Sequence, residues 1–124
     1  MGARLMFHCL LELDRLAAEG APTRGLVENV VLLGAPVSCR PERWAAARSV
    51  VAGRLVNAYS VNDWSLQILF RAHSASSLYT AAAGCWRVGC PGVEDVNVSR
   101  VIRSSDDYVT RIEDVLDAIN LTGA

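Results

Sequence analysis

An α/β fold, built on a mostly parallel sheet of about three strands with flanking helices, is predicted by three observations. Apolar residues at helical spacing alternate along the chain with short β-branched runs. The first of those runs is largely β-branched and leucine, as a buried strand covered on both sides is. The segments between runs are long enough for the crossovers that parallel neighbours require.

From Leu5 to Ala17 apolar residues recur at 5, 6, 9, 10, 13, 16 and 17, with Arg4, Glu12, Asp14 and Arg15 mostly off that stripe, which predicts a helix stopped by Gly20 and Pro22. Leu26 to Leu33 is the buried strand, ended by Gly34-Ala35-Pro36. Pro41 opens an Ala-rich helix through Ala52, with Gly53 closing it, because proline suits a first turn and glycine a helix end. Arg54 to Tyr59 reads as a second strand. Asn62-Asp63 is a turn, and Asp63 is placed to cap a helix from Trp64 to about Arg71. Residues 72–92, rich in Ala, Ser and Gly, form a variable loop region. Val93 to Ile102 alternates loosely and supplies a third strand. Ser104 to Asp107 then starts a helix to Leu121, with Tyr108, Val109, Ile112, Val115, Leu116 and Ile119 on one side.

Composition excludes several functions. The chain has 124 residues, 52% of them hydrophobic and 20% charged, which fits one folded unit and no disordered tail. All 12 basic residues are arginine and 13 acids balance them, so no basic stripe exists for a nucleic acid. No apolar run reaches the roughly 18 residues of a membrane span, and the order of regions that marks a secretory signal is missing. Cys9, Cys39, Cys85 and Cys90 read as reduced intracellular thiols, and the Cys85–Cys90 spacing with no nearby histidine predicts neither a redox pair nor a metal site. Gly34-Ala35-Pro36 lacks the spacing of a phosphate cradle. No cofactor is expected. Trp44, Trp64 and Trp86 are expected in the core, and Arg40, Arg43 and Arg48 on a solvated helix face.

Specific stretches resemble a known family. Met1-Gly2-Ala3-Arg4-Leu5 with Cys9 to Leu13, VENVVLLGAPV (27–37), SVVAGRLVNAYSVNDWSLQILFR (49–71), GVEDVNVSRVI (92–102) and Asp107-Tyr108 carry the likeness. They resemble the α/β-hydrolase-like domain of the transmembrane and coiled-coil domain-containing protein four family, whose members are membrane-associated. The resemblance implies a partial α/β-hydrolase-like fold, with residues 1–124 as the C-terminal part of one domain and its N-terminal half lacking.

Hydrolase chemistry needs a serine on the turn between a strand and its following helix, then an acid, then a histidine. By resemblance, Met1-Gly2 stands at the end of that serine motif, with the serine expected immediately before Met1 and the Met1 amide at an oxyanion-hole position. Asp63 stands where the acid belongs. It reads equally well as the cap of the Trp64 helix. Relatives carry a Gly-His-x-Asp-Tyr pattern, and alignment on Asp107-Tyr108 puts Ser105 at the histidine position. A serine hydroxyl cannot act as a general base near neutral pH. His8 lies on the first helix and His73 in the variable loop, so neither substitutes for it. The expectation is a non-catalytic half-domain whose first strand lacks a neighbour. Such an edge invites pairing with an upstream or partner segment, or with another copy. The alternative is part of an esterase- or lipase-like serine hydrolase with Asp63 as its acid.

Overall fold

The computed structural model describes residues 2–62, 83–84, 86–104 and 107–119. The first helix, α1 (Gly2–Ala18), buries Phe7 and Leu10 and leaves Glu12 and Arg15 in water, joined as an ion pair. Past its end the chain folds back, held by the Thr23 hydroxyl donating to Leu13 O at 2.6 Å and by Arg24 against Asp14 at 2.7 Å. It then enters β1 (Val30–Leu33), crosses through α2 (Pro41–Ser49) and returns as β2 (Leu55–Tyr59). A third strand, β3 (Val93–Asn97), pairs with β2. Both pairings are parallel and the spatial order is β1-β2-β3, with Val30 beside Leu55 and Leu55 beside Val93.

Alternation along the strands divides the interior into two layers. Val30, Leu32 and Leu55 face α1 and α2, where Trp44 is fully buried with its ring centroid 4.8 Å from that of Phe7. Val56 and Ala58 face the opposite way, onto Val98, Ile102, Tyr108, Val115 and Ile119. The last four of these belong to the stretch containing α3 (Asp107–Thr110) and α4 (Ile112–Ile119) and its approach. The sheet is therefore covered on both faces, and the α/β prediction holds.

Several boundaries differ from those expected. The first strand is shorter than Leu26 to Leu33: Leu26 is exposed, Val27 makes only an isolated bridge to Val51, and the ladder starts at Val30. Gly53 explains part of this. Its N–H donates to Glu28 O at 2.6 Å, and a Cβ there would collide with the Asn29 side chain, whose Oδ1 accepts the Arg54 N–H at 2.7 Å. Gly53 thus lets the start of β1 approach the start of β2 and does not close α2. That helix ends at Ser49, because Val50 and Val51 turn into the core.

The third strand stops at Asn97, not Ile102, since Asn97 Oδ1 accepts the Ser99 N–H at 2.9 Å and turns the chain. The final helix is two helices broken at Arg111, so Val109 and Ile112 are exposed where one continuous stripe would bury them. Their phase is set by Tyr108, whose ring sits over Gly34; a Cβ on that glycine, at φ 59°, would lie 2.8 Å from the ring. Trp86 is 53% exposed, not core, because it rides on a surface loop. Arg48 does not line a solvated face: its Nε donates to Gly92 O at 3.0 Å and another guanidinium N–H to Val51 O. The Trp64–Arg71 helix, Trp64 itself, Cys85 and most of the 72–92 loop lie outside the described residues.

Candidate functional site

Parallel α/β sheets bind ligands at the carboxyl ends of their strands, where the loops to the following helices gather. Met1, Asp63 and Ser105 each belong to that end by chain order, and all three lie outside the described residues, as does His73. The described residues adjoining them have well-defined surroundings.

Gly2 and Ala3 begin α1 beside β1. Together with Met6 they face Val31, Leu32 and Leu33 across an open apolar cleft of about 300 Å³. The cleft follows the free edge of β1. Val30 N–H donates to Arg54 O at 2.8 Å and Gly34 N–H to Ala58 O at 3.2 Å, so by the alternation of a parallel ladder the N–H groups of Val31 and Leu33 point away from β2. No strand pairs with that edge among the described residues.

The turn leading to Asp63 is tied to the segment leading to Ser105. Ser60 is wholly buried, and its hydroxyl donates to Ile102 O at 2.6 Å. The Ser60 hydroxyl oxygen in turn accepts the Asn62 N–H at 3.2 Å. Asn62 Nδ2 donates to Ser99 O at 2.8 Å and to Ile102 O at 3.4 Å, while the Val61 N–H reaches Ser99 Oγ at 3.0 Å. On the far side of position 105, Asp107 Oδ2 accepts the Arg103 N–H at 2.9 Å, and Asp107 N–H returns to Ser104 O at 3.1 Å. The Asp107 carboxylate therefore ties together described residues on the two sides of position 105, and the segment before that position is laced to the 60–62 turn.

The remaining link joins this region to β1. Tyr108 packs on Gly34 at the end of β1, and Gly84 bridges the strand ends, donating to Ala35 O at 2.8 Å and accepting from Ser60 N–H at 3.1 Å. The approaches to positions 63 and 105 and the end of β1 thus converge at one end of the sheet. None of Ser60, Asn62, Ser99 or Asp107 stands out in the sequence as a positioning group. Only the run of small polar residues after each strand hints at them, since such residues bond to nearby backbone.

Other chemistry is sparse among the described residues. No group of His, Cys, Asp or Glu able to hold a metal ion occurs among them. His8 is exposed, edge-on to Phe7 with centroids 6.4 Å apart. Cys9 and Cys90 are free thiols. Asn57, buried in the middle of β2, donates to Trp86 O and to Asp95 Oδ1, each at 3.1 Å. No described helix is long and apolar enough to cross a membrane.

Residues 1–122 match a family described as protein of unknown function (DUF726). A transmembrane and coiled-coil domain-containing protein of Oryza sativa subsp. japonica is 46% identical over 98% of this chain and 17% of its own length. An uncharacterized membrane protein of Caenorhabditis elegans is 33% identical over 98% of this chain and 19% of its own. A probable lipase of Saccharomyces cerevisiae is 37% identical over 98% of this chain and 11% of its own. The chain therefore spans less than a fifth of each of these relatives. No solved structure matches.

Proposed function

This chain belongs to the DUF726 family, and from that premise we propose that it is the acid-and-base half of an α/β-hydrolase-like domain that does not itself catalyse acyl transfer. Its role is to complete a sheet with a further parallel strand. One observation carries the sheet-completing role: the apolar edge of β1, with the cleft between it and the first turn of α1. A strand leading into α1 along that cleft would hydrogen-bond to Val31 and Leu33 and would bring a strand-to-helix turn to the convergence described above.

The absence of catalysis rests on Ser105. By the family register Ser105 stands where an imidazole belongs, and a hydroxyl cannot take a proton from a nucleophile near neutral pH. Asp63, which the family register puts in the acid position, then has no histidine to orient.

The yeast relative named a probable lipase favours a second reading, in which the whole domain is a serine hydrolase of lipid-like acyl groups with Asp63 as its acid. A fluorophosphonate probe applied to the native gene product separates the two. The non-catalytic reading gives no covalent labelling above a heat-treated control. Labelling that a serine-to-alanine change removes would establish the second reading.

A further inference from the structure

We propose that the surface formed by the start of α2 and the 86–90 loop docks on an anionic lipid surface, with Trp86 at headgroup level and Arg40, Arg43 and Arg87 facing the lipid phosphates. This surface is separate from the β1 edge, and the proposal stands or falls independently of the sheet-completing role.

Trp86 is the starting observation. The other described tryptophan is wholly buried, whereas this indole is 53% exposed. It is held there by a built support. Asn57 Nδ2 donates to Trp86 O at 3.1 Å, and Asp95 takes the Val88 N–H at 2.7 Å and the Gly89 N–H at 2.9 Å. A carboxylate that accepts two backbone amides and a side-chain amide from the sheet fixes the loop's position, so the indole is displayed from a rigid base.

The same loop lies along the start of α2. The Cys39 thiol is 4.0 Å from Trp86 O, and the Cys90 thiol is 3.8 Å from Pro41 O. These contacts set the 86–90 loop, which carries Arg87, against the start of α2, which carries Arg40 at its N-cap and Arg43 in its first turn. All three arginines are exposed. Arg15, Arg24 and Arg111 are exposed too, but each has a carboxylate partner. Arg4, Arg100 and Arg103 are exposed with no ion pair among the described residues, but they belong to α1 and to the segment after β3 rather than to the start of α2. Arg40, Arg43 and Arg87 have no ion pair among the described residues, and the only acid in this turn of α2 is Glu42. The N-terminus of α2 carries no side-chain cap, so its partial positive charge adds to theirs.

An exposed indole on a loop beside exposed arginines that have no ion pair among the described residues matches the bilayer interface on both counts. The ring is amphipathic and settles among headgroups, while arginine pairs with phosphate through two parallel N–H groups. A basic residue at an anionic leaflet contributes about fivefold in partitioning, so the three together account for about a hundredfold.

Vesicle co-flotation of the full chain tests this, because bound protein rises with the vesicles and self-associated protein does not. The expected result is flotation with phosphatidylcholine vesicles containing phosphatidylserine, release by high salt, and none with phosphatidylcholine alone. Arg40→Gln, Arg43→Gln and Arg87→Gln combined should weaken it by about a hundredfold, with circular dichroism unchanged. Trp86→Ala should weaken it further at fixed charge. Equal flotation with neutral vesicles, no flotation with anionic ones, or wild-type flotation of the triple variant would each overturn the proposal.

Discussion

The two edges of the sheet are built from opposite chemistry. β3 reads Val-Glu-Asp-Val-Asn, and each polar residue in it is committed: Glu94 to Arg54, Asp95 to Asn57 and the 88–89 amides, Asn97 to the Ser99 N–H. β1 reads Val-Val-Leu-Leu, and along its outer side runs an apolar cleft. Charged and polar residues are how proteins blunt an edge that is meant to stay an edge. Among the described residues β3 therefore reads as a finished edge, and under the proposed function β1 is an unfinished one. The strand interiors agree: Val56 and Ala58 of β2 are wholly buried, whereas Val31 and Leu33 beside them on the same face are only half-buried.

The sharpest way to break this contrast uses proline, which removes one N–H at a chosen side of a strand. Leu32 N–H faces β2 by the alternation of the ladder, and Leu32→Pro should cost about 3 kcal/mol or more and abolish the folded signal in urea titrations. Val31→Pro removes an N–H that faces the open cleft, so the chain should stay folded while its self-association falls. Equal damage from both would show that β1 has no free side.

Gly34→Ala comes next in size. It forces a side chain into the left-handed region at φ 59° and against the Tyr108 ring, at a cost of about 2 kcal/mol read as a lower urea midpoint. On the finished side, Asp95→Asn leaves the loop amides less well satisfied, and about 1 to 2 kcal/mol should be lost, with Trp86 fluorescence shifting as its loop loosens.

The smallest effect is at Glu94. Arg54's hydrogen bonds hold its carboxyl below the usual 4.5, against an opposing push from partial burial. A folded value below the unfolded one means the stabilisation is complete above about pH 4.5 and is lost as pH falls through the folded value. Glu94→Gln should therefore lower the urea midpoint at neutral pH, and the difference from the parent should shrink as the pH falls below 4.5 and the carboxyl takes up its proton.

Much of the fold was legible because periodicity encodes it: β-branched runs against helical stripes placed all three described strands and α1 and α2. Boundaries were less legible where a single close approach decides them. Gly53 reads as a helix stop, and only its contact with Asn29 reveals that it seats β1 against β2. The one-helix reading of the C-terminal segment failed because Tyr108 docks on a residue more than 70 positions earlier in the chain, Gly34, and sets the phase of its own short helix. At the site, chain order and resemblance pointed to Met1, Asp63 and Ser105, while the groups that lace the approaches together went unseen. Ser60 to Ile102 and Val61 to Ser99 are bonds across 42 and 38 residues, between residue types that carry no periodic signal.

The claim that β1 is unfinished is tested most directly by sedimentation velocity of the 124-residue chain across a concentration series, paired with a thermal melt. An open apolar edge predicts association that grows with concentration and is suppressed by Val31→Pro. A parent chain that stays monomeric throughout and melts in one cooperative transition would contradict it, because the sheet would then be complete as it stands.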